Sequence, residues 1–259
     1  MDFALSHHAF HELWKHFELG SKPLSLNVLP QGVLQDERRA AEARAWEELR
    51  ALGVEDRDGA DDLRGALLPL HHYHHAFDLT HRYLEGEQDR RRSGLVAADR
   101  YSATLAVRDE TSVRVVVTRP DSMVRALLDA LPELSSGPGK GVSLRSADLD
   151  QVAAEAGTSN RAMQEGLVRR GVRREDVRAL VDMAGAQRVA FAQFGAATMD
   201  DCGHRRRSEA VTNCFATAQG WYLMEESRRG SEPWTTFAPV DRQRMSSRIQ
   251  DLLKSVPRD

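Results

Sequence analysis

The feature that most constrains this chain is a repeat of its own order at one offset. Leu26 and Leu144 lie 118 positions apart, as do Leu49 and Leu167, and Gly53 and Gly171. Pro120 and Pro239 lie 119 apart. The surrounding segments match in type. Leu24-Ser-Leu and Val142-Ser-Leu read as short strands. Leu49-Arg-Ala-Leu-Gly-Val and Leu167-Val-Arg-Arg-Gly-Val read as helix ends stopped by a glycine. Shorter helices follow at 61–70 and 174–183, then a strand meander, a proline and an amphipathic helix. Solenoid periods are about 20–50 residues, far shorter than this one. Two copies of a sheet-plus-helix unit pair instead about a pseudo-twofold axis, each covering one open sheet edge of the other. The expected product is one α+β domain over residues 1–259. It has a mostly antiparallel central sheet, helices grouped beyond it, and pseudo-repeat halves of about 1–135 and 136–259 from an internal duplication.

Periodicity defines the elements. Met245, Ile249, Leu252, Leu253 and Val256 recur at a spacing near 3.6 behind Asp241, a helix cap. Residues 208–217, 221–227 and 234–237 read as strands, separated by Gly220 and the polar segment 228–232. In the first half, 101–107 and 113–117 alternate as strands do, with Arg108-Asp-Glu-Thr as the turn. Residues 3–17 read as a helix. Residues 22–29 are a strand candidate bounded by Pro23 and Pro30, and 36–52 form a helix. Pro120 and Asp121 start a helix carrying Met123, Leu127 and Leu131. Ser135-Ser-Gly-Pro-Gly-Lys-Gly reads as the linker between the halves.

Composition excludes several classes. Charged residues make up 29% of the chain, but they nearly cancel to a net −3, which argues against nucleic acid as a partner. No apolar run approaches the ~18–20 residues of a membrane helix. The start, MDFALSHHAF, has no basic region before a long apolar stretch. Cys202 and Cys214 do not make a disulfide framework. A soluble, reduced, cytoplasmic protein without membrane insertion is expected.

The densest chemical cluster is His71-His-Tyr-His-His, with His81 beyond it. On a helix, His71 and His75 stand at i, i+4, as in two-histidine zinc sites, and Asp78 or Glu85 supplies a third ligand. A metal-dependent hydrolase or metal-binding protein using His71, His72, His74, His75 and His81 is therefore the alternative reading. The chain has no HExxH. The simpler reading is a solvated helix end packed by Tyr73 and Phe77, with no metal and no cofactor. Cys202 and Cys214 flank the turn from Asp201 to Arg207. In a hairpin they face each other, and Arg205, Arg206 and Arg207 lower a nearby thiol pKa. An ordinary hairpin tip is the plainer account. Gly137-Pro-Gly-Lys-Gly lacks the spacing of a phosphate loop, and no GxSxG or GxGxxG occurs. No enzyme is expected.

Trp221, Tyr222, Trp234 and Phe237 crowd the last meander. Alternation sends Trp221 and Leu223 to one sheet face and Tyr222 and Met224 to the other, so both faces are apolar there. The terminal helix covers one. The other needs either the remaining helices or a partner protein, whose interface cores favour these residue types. The first meander has Tyr101 alone. That asymmetry places the expected partner contacts in the second half, at Trp221, Leu223, Trp234, Thr235 and Phe237. A third reading is a scaffold that pairs with itself through a sheet edge or this aromatic face, as a homodimer.

Further motifs fall in a fixed order along nearly the whole chain. They are Pro23-Leu-Ser-Leu, Glu37-Arg38 in the helix ending Leu49-Arg-Ala-Leu-Gly-Val, and Leu131-Pro132 before the glycine-rich segment. Then come Gln193-Phe-Gly, the hairpin with Gly203 and its arginines, Gly220-Trp-Tyr-Leu, and Trp234-Thr-Thr-Phe-Ala-Pro-Val-Asp before the last helix. In this the chain resembles the EspG family, cytosolic chaperones of ESX (type VII) secretion in actinobacteria. Where that family commonly shows Asp-Thr-x-x-Gly-Arg-Tyr, this chain has Ala216-Thr-Ala-Gln-Gly-Trp-Tyr, so any aspartate–arginine pair is missing. The resemblance implies a non-catalytic protein with a quasi-twofold sheet and two helical bundles. It implies binding of the helical tip of PPE proteins in PE–PPE heterodimers through the central sheet and the C-terminal bundle. That binding keeps such substrates soluble and directs them to export.

Overall fold

The computed structural model describes residues 1–28, 35–55, 57–200 and 202–257. The first half runs β1 (Asp2–Ser6), α1 (His7–His16), α2 (Gln35–Ala51), α3 (Arg57–His71), β2 (His75–Glu85), β3 (Gln88–Ala98), β4 (Ala103–Arg108), β5 (Ser112–Thr118) and α4 (Met123–Asp129). The second runs β6 (Val142–Arg145), α5 (Ser146–Ala156), α6 (Asn160–Arg169), α7 (Arg174–Ala184), β7 (Ala190–Met199), β8 (Arg205–Arg207), β9 (Thr212–Thr217), β10 (Gly220–Arg229), β11 (Glu232–Pro239) and α8 (Arg242–Leu252).

The strands form one sheet in the order β1-β5-β4-β3-β2-β7-β9-β10-β11-β6, with the short β8 on β7. Every strand pairing is antiparallel. The halves meet at β2 and β7, a ladder from His75 opposite Thr198 to Tyr83 opposite Ala190, centred on Leu79 opposite Phe194. Outward from that seam the two sides carry the same connectivity, β2-β3-β4-β5-β1 and β7-β9-β10-β11-β6. Both sheet edges are short strands, of five residues in β1 and four in β6, which limits edge-to-edge pairing with other chains.

The two sheet faces have different covers. On one, Phe77, Leu79, Val96, Leu105, Phe194, Cys214, Trp221 and Leu223 pack against α4 and α8 in one continuous core fed by both halves. On the other, α1–α3 close over Leu95, Ala97, Ala106, Val113 and Val115. The second bundle, α5–α7, closes over Phe215, Tyr222 and Phe237. The doubly apolar β10 is thereby explained: Trp221 and Leu223 face α8, while Tyr222 and Met224 face the second bundle.

The helix signals act as expected. The Arg244 N–H donates to the Asp241 side chain at 2.8 Å, capping α8. Gly53 and Gly171 end α2 and α6 with φ of 79° and 83°, the left-handed stop that glycine takes without strain.

Several expectations are corrected. Leu24–Leu26 is a 3-10 turn, closed by Leu26 N–H donating to the Pro23 carbonyl at 2.9 Å. Leu29 and Pro30, at the end of that predicted strand, lie outside the described residues. The counterpart of β6 at the far edge is β1, inside the span predicted as helix. There Leu5 is buried and Ser6 starts α1 by accepting from Ala9 N–H at 3.1 Å. Leu26 and Leu144 are therefore not equivalent positions, although their offset matches. The single helix predicted before Gly171 is two, α5 and α6, the second capped by Ser159. Residues 135–141 are not a free linker. Ser136 bridges Trp221, whose N–H donates to the Ser135 carbonyl at 2.9 Å and whose indole donates to the Glu133 carbonyl at 3.2 Å.

The histidine cluster also changes character. His71 ends α3 and His75 begins β2, so no helix carries both. His71 lies edge-on to Trp14, and His81 is fully buried against Tyr83, its ring centroid 4.8 Å away. The cluster is thus split between a helix end, a connection and a strand, and the metal reading built on His71, His72, His74, His75 and His81 loses its geometry. Cys202 is exposed at the β7–β8 tip, while Cys214 is buried on β9 opposite Ala192, so the two do not face each other. Burial pushes the Cys214 thiol pKa up, away from reactivity. Asp201, the start of the predicted turn, lies outside the described residues.

Candidate partner interface

Each helical bundle covers its own side of the sheet, and neither covers the seam. On the bundle face, the central strands carry a polar row across the gap: Ser93 on β3, Thr80 on β2, Gln193 on β7 and Asn213 on β9, in register with one another. Thr80 is exposed, and Ser93, Gln193 and Asn213 are half-buried. Gln193 donates through its amide to Asn213 Oδ1 at 2.9 Å. Strand alternation accounts for the pattern. The same strands bury Phe77, Leu79, Ala192 and Phe194 on the α4/α8 face. A row of this kind offers donors and acceptors without requiring a buried unpaired group.

An ion pair borders the row. Arg207 of β8 reaches across β7 and donates to Asp78 Oδ1 of β2 at 2.7 Å. Its path crosses Gly195, where a Cβ would stand 2.4 Å from Arg207 Nη2 and 2.9 Å from Asp78 Oδ2. Any side chain at 195 would break this crossing. Gln193-Phe-Gly is thus three positions with three tasks: a polar side chain on the open face, a phenylalanine in the core and a gap for an arginine. Below the pair, Tyr73 is buried and its hydroxyl pKa is raised by that burial, with Arg205 as a hydrogen-bond partner that opposes the rise.

On the second-bundle side the row borders apolar and aromatic groups. Phe191 and Met224 are half-buried there, and Arg188 lies over the Phe215 ring at 4.8 Å. Met224 on β10 stands opposite Asn213 and so continues the row on that side. The gap thus has a polar floor with one softer, apolar wall.

Of the five residues expected from sequence to touch a partner, four are buried and Trp234 is half-exposed, and none lies on the seam row. Trp221 and Leu223 are in the core under α4 and α8. Phe237 and Thr235 are buried on the bundle face, where the Thr235 hydroxyl is 2.8 Å from that of Ser146. Trp234 is half-exposed on the α8 face near the β6 edge, with Arg229 stacked 4.4 Å from its ring. Thr80, Gln193, Asn213 and the Asp78–Arg207 pair were not picked out as contacts. The signal for them was the Gln193-Phe-Gly motif and the alternation of 75–83, which the histidines obscured.

A broad sheet left open at its central seam, between two helical bundles, is the build of a protein that receives another polypeptide. The comparisons agree with that class. The EspG family model matches residues 6–251, and the chain belongs to the EspG family. It is similar in fold to EspG5, the type VII secretion system chaperone of Mycobacterium tuberculosis, solved in complex with a PE25–PPE41 dimer. That match has a TM-score of 0.74 at 14% identity and covers 99% of this chain and 97% of the other. No curated protein matches the chain.

Proposed function

We propose that this protein is a cytoplasmic, non-catalytic chaperone of a type VII secretion system. It binds a PE/PPE-like heterodimer, keeps it soluble and presents it for export. The observation that carries the reading is the polar row at the seam, which neither helical bundle covers. A helical tip laid on it meets hydrogen-bonding groups from β2, β7 and β9, and the half-buried Phe191 and Met224 along one side. Family membership and the likeness to a chaperone solved with such a dimer support the same reading. No helix among the described residues is long and apolar enough to cross a membrane. We further propose that the chain is one domain whose halves, about 1–135 and 136–259, descend from a duplication, which accounts for the matched strand order.

The test is co-expression with a PE/PPE-like heterodimer and separation by size. The expected result is a complex that Thr80→Arg disrupts, because it places a long cation on the open row. Gln250→Arg, on the exposed side of α8 across the sheet, leaves the complex intact. A folded chain that captures no PE/PPE-like pair, or equal binding by both variants, refutes the proposal.

A further inference from the structure

The flank of the seam nearest the first bundle differs from the apolar wall opposite. A groove of about 700 Å³ opens there, directly beside Thr80. Five arginines line it, Arg91, Arg92, Arg108, Arg205 and Arg207, against three acids, Asp78, Asp109 and Glu110. Two of these acids are already engaged. Asp78 holds Arg207, and Glu110 holds Arg90 from the next hairpin. The Asp109 carboxylate turns inward and accepts the N–H groups of Thr111 and Ser112 at 2.9 and 2.8 Å. Those backbone bonds hold its pKa below the ordinary value despite partial burial, so it stays ionised within its own turn.

The arginines are less satisfied. Arg108 donates to a carbonyl, that of Asn27. Arg205 meets the Tyr73 hydroxyl. Arg91 makes no hydrogen bond or ion pair among the described residues, and the nearby Asp89 is claimed by Arg82 at 2.5 Å. Arg92 has its guanidinium on the other face, over Tyr83. Three cations thus line one groove with no direct ion pair to a carboxylate among the described residues. Leu24, 83% exposed, stands at the rim as an apolar contact.

A chain with a net charge of −3 that gathers free cations at one place has built a local field of opposite sign. We infer that this groove receives an acidic segment of the polypeptide bound at the seam, with Arg91, Arg108 and Arg205 meeting its carboxylates. The inference rests on the function proposed above, since continuity with the polar row is what makes the occupant a polypeptide. The groove then sets which partners fit and in which orientation. The seam row supplies neutral hydrogen bonds, Phe191 and Met224 apolar contact and the groove charge. A partner tip must carry its acids on the side facing the first bundle. Complementary charge of this kind acts mainly on association rate, selectivity and salt dependence.

The test measures affinity of the full chain for a PE/PPE-like heterodimer at about 50 and 300 mM NaCl, a range over which surface charge is strongly screened. Wild type is expected to weaken with salt. The double variant Arg91→Gln, Arg205→Gln is expected to bind about five- to tenfold more weakly at low salt and to lose most of the salt dependence. Arg169→Gln with Arg174→Gln, on exposed second-bundle positions, is expected to behave as wild type. Salt-independent binding by wild type, or wild-type affinity of the double variant, overturns the inference.

A second arm separates it from the proposed function. An oligoglutamate peptide titrated into the isolated chain should shift the backbone amide resonances of Arg91 and Arg108, and the double variant should remove those shifts. If no PE/PPE-like pair binds but the peptide does, the partner reading fails and the assignment of the basic groove stands. If the peptide causes no shift, or a short RNA binds there in its place, the groove assignment falls.

Discussion

The two halves have one strand order and two ways of filling it. In the first, large side chains sit in the helices. Phe10, Leu13 and Trp14 of α1 meet Leu49, Leu67 and Leu70, and all are buried to within 2% exposure. Phe10 and Trp14 lie tilted against each other with ring centroids 5.6 Å apart, and the Trp14 indole donates to the Gly20 carbonyl at 3.0 Å. In the second half the large rings sit in the strands, as Phe215, Tyr222 and Phe237. The helices above them contribute smaller groups: Val152, Leu167, Val177, Leu180 and Met183. Leu149, Met163, Val168 and Val172 are only half covered. The first bundle is therefore pinned by aromatic anchors of its own. The second rests on an aromatic floor and is free to adjust above it, with Met163 and Met183 as adaptable side chains among its helices. The two bundles thus differ in kind, one rigidly anchored and one able to repack.

The largest expected effect breaks or upholds that contrast. Trp14→Ala removes an anchor with 2% exposure and its hydrogen bond, and should cost about 3–5 kcal/mol in urea unfolding. Leu167→Ala, equally buried in the second bundle, should cost about 2–3 kcal/mol, because softer neighbours can close on the space. An equal or larger loss at Leu167 would mean that the second bundle is packed as tightly as the first.

Much of this contrast was legible in the sequence, although its sense was reversed. The aromatic load of 215–237 suggested exposed contacts, because both faces of β10 are apolar. The structure supplies both covers from within the chain. Tyr101, taken as the lone aromatic of the first meander, is in a turn and 90% exposed. Strands β4, β5, β9, β10 and β11 and the last helix were readable, since each alternates or keeps a 3.6 period over enough residues. β2 and β3 were not. In β2, Phe77, Leu79, His81 and Tyr83 alternate with Asp78, Thr80 and Arg82, but the four histidines of 71–75, which end where β2 begins, drew a helical reading. In β3 the arginines of 90–92 hid a strand whose apolar part, 94–98, is covered on both faces and so shows no alternation. The polar row at the seam was missed with them, because β2 carries part of it.

The seam itself gives the next effect. His81, on β2, is fully buried between Tyr83 and Trp221, one ring from each half. Neither ring nitrogen has a hydrogen-bond partner. Burial, with a smaller push from the Arg92 cation, lowers its pKa from 6.5 to about 4. The neutral imidazole is thus the folded form. Its contribution is full above pH 6.5, where the unfolded chain is also neutral. It declines as pH falls towards 4, because the unfolded chain takes up the proton first. The decline should amount to about 2–3 kcal/mol over that window. His11, His71 and His75, whose pKa values burial also lowers, titrate in the same direction. The diagnostic quantity is therefore the difference from His81→Phe. Urea melts at pH 7.5, 6 and 5 should show a smaller acid loss for the variant. An identical slope would show that the seam does not carry this sensitivity and that the histidines of the first bundle do.

The smallest effect sharpens the comparison at the far edge of the second half. Trp234 and Phe237 lie on one strand, three residues apart and therefore on opposite faces. Phe237 is 4% exposed and stands edge-on to Phe215 at 6.3 Å, part of the floor on which the second bundle rests. Trp234 has only the Arg229 guanidinium stacked on it at a half-exposed site, an interaction worth about 0.5–1 kcal/mol. Trp234→Ala should therefore change stability by about 1 kcal/mol at most, and Phe237→Ala by several times more. Partner affinity supplies the second reading. If the seam between the bundles is the docking surface, Trp234→Ala leaves affinity within about twofold, since it lies on the opposite face. A loss of tenfold or more at unchanged stability would move the contact to the α8 face.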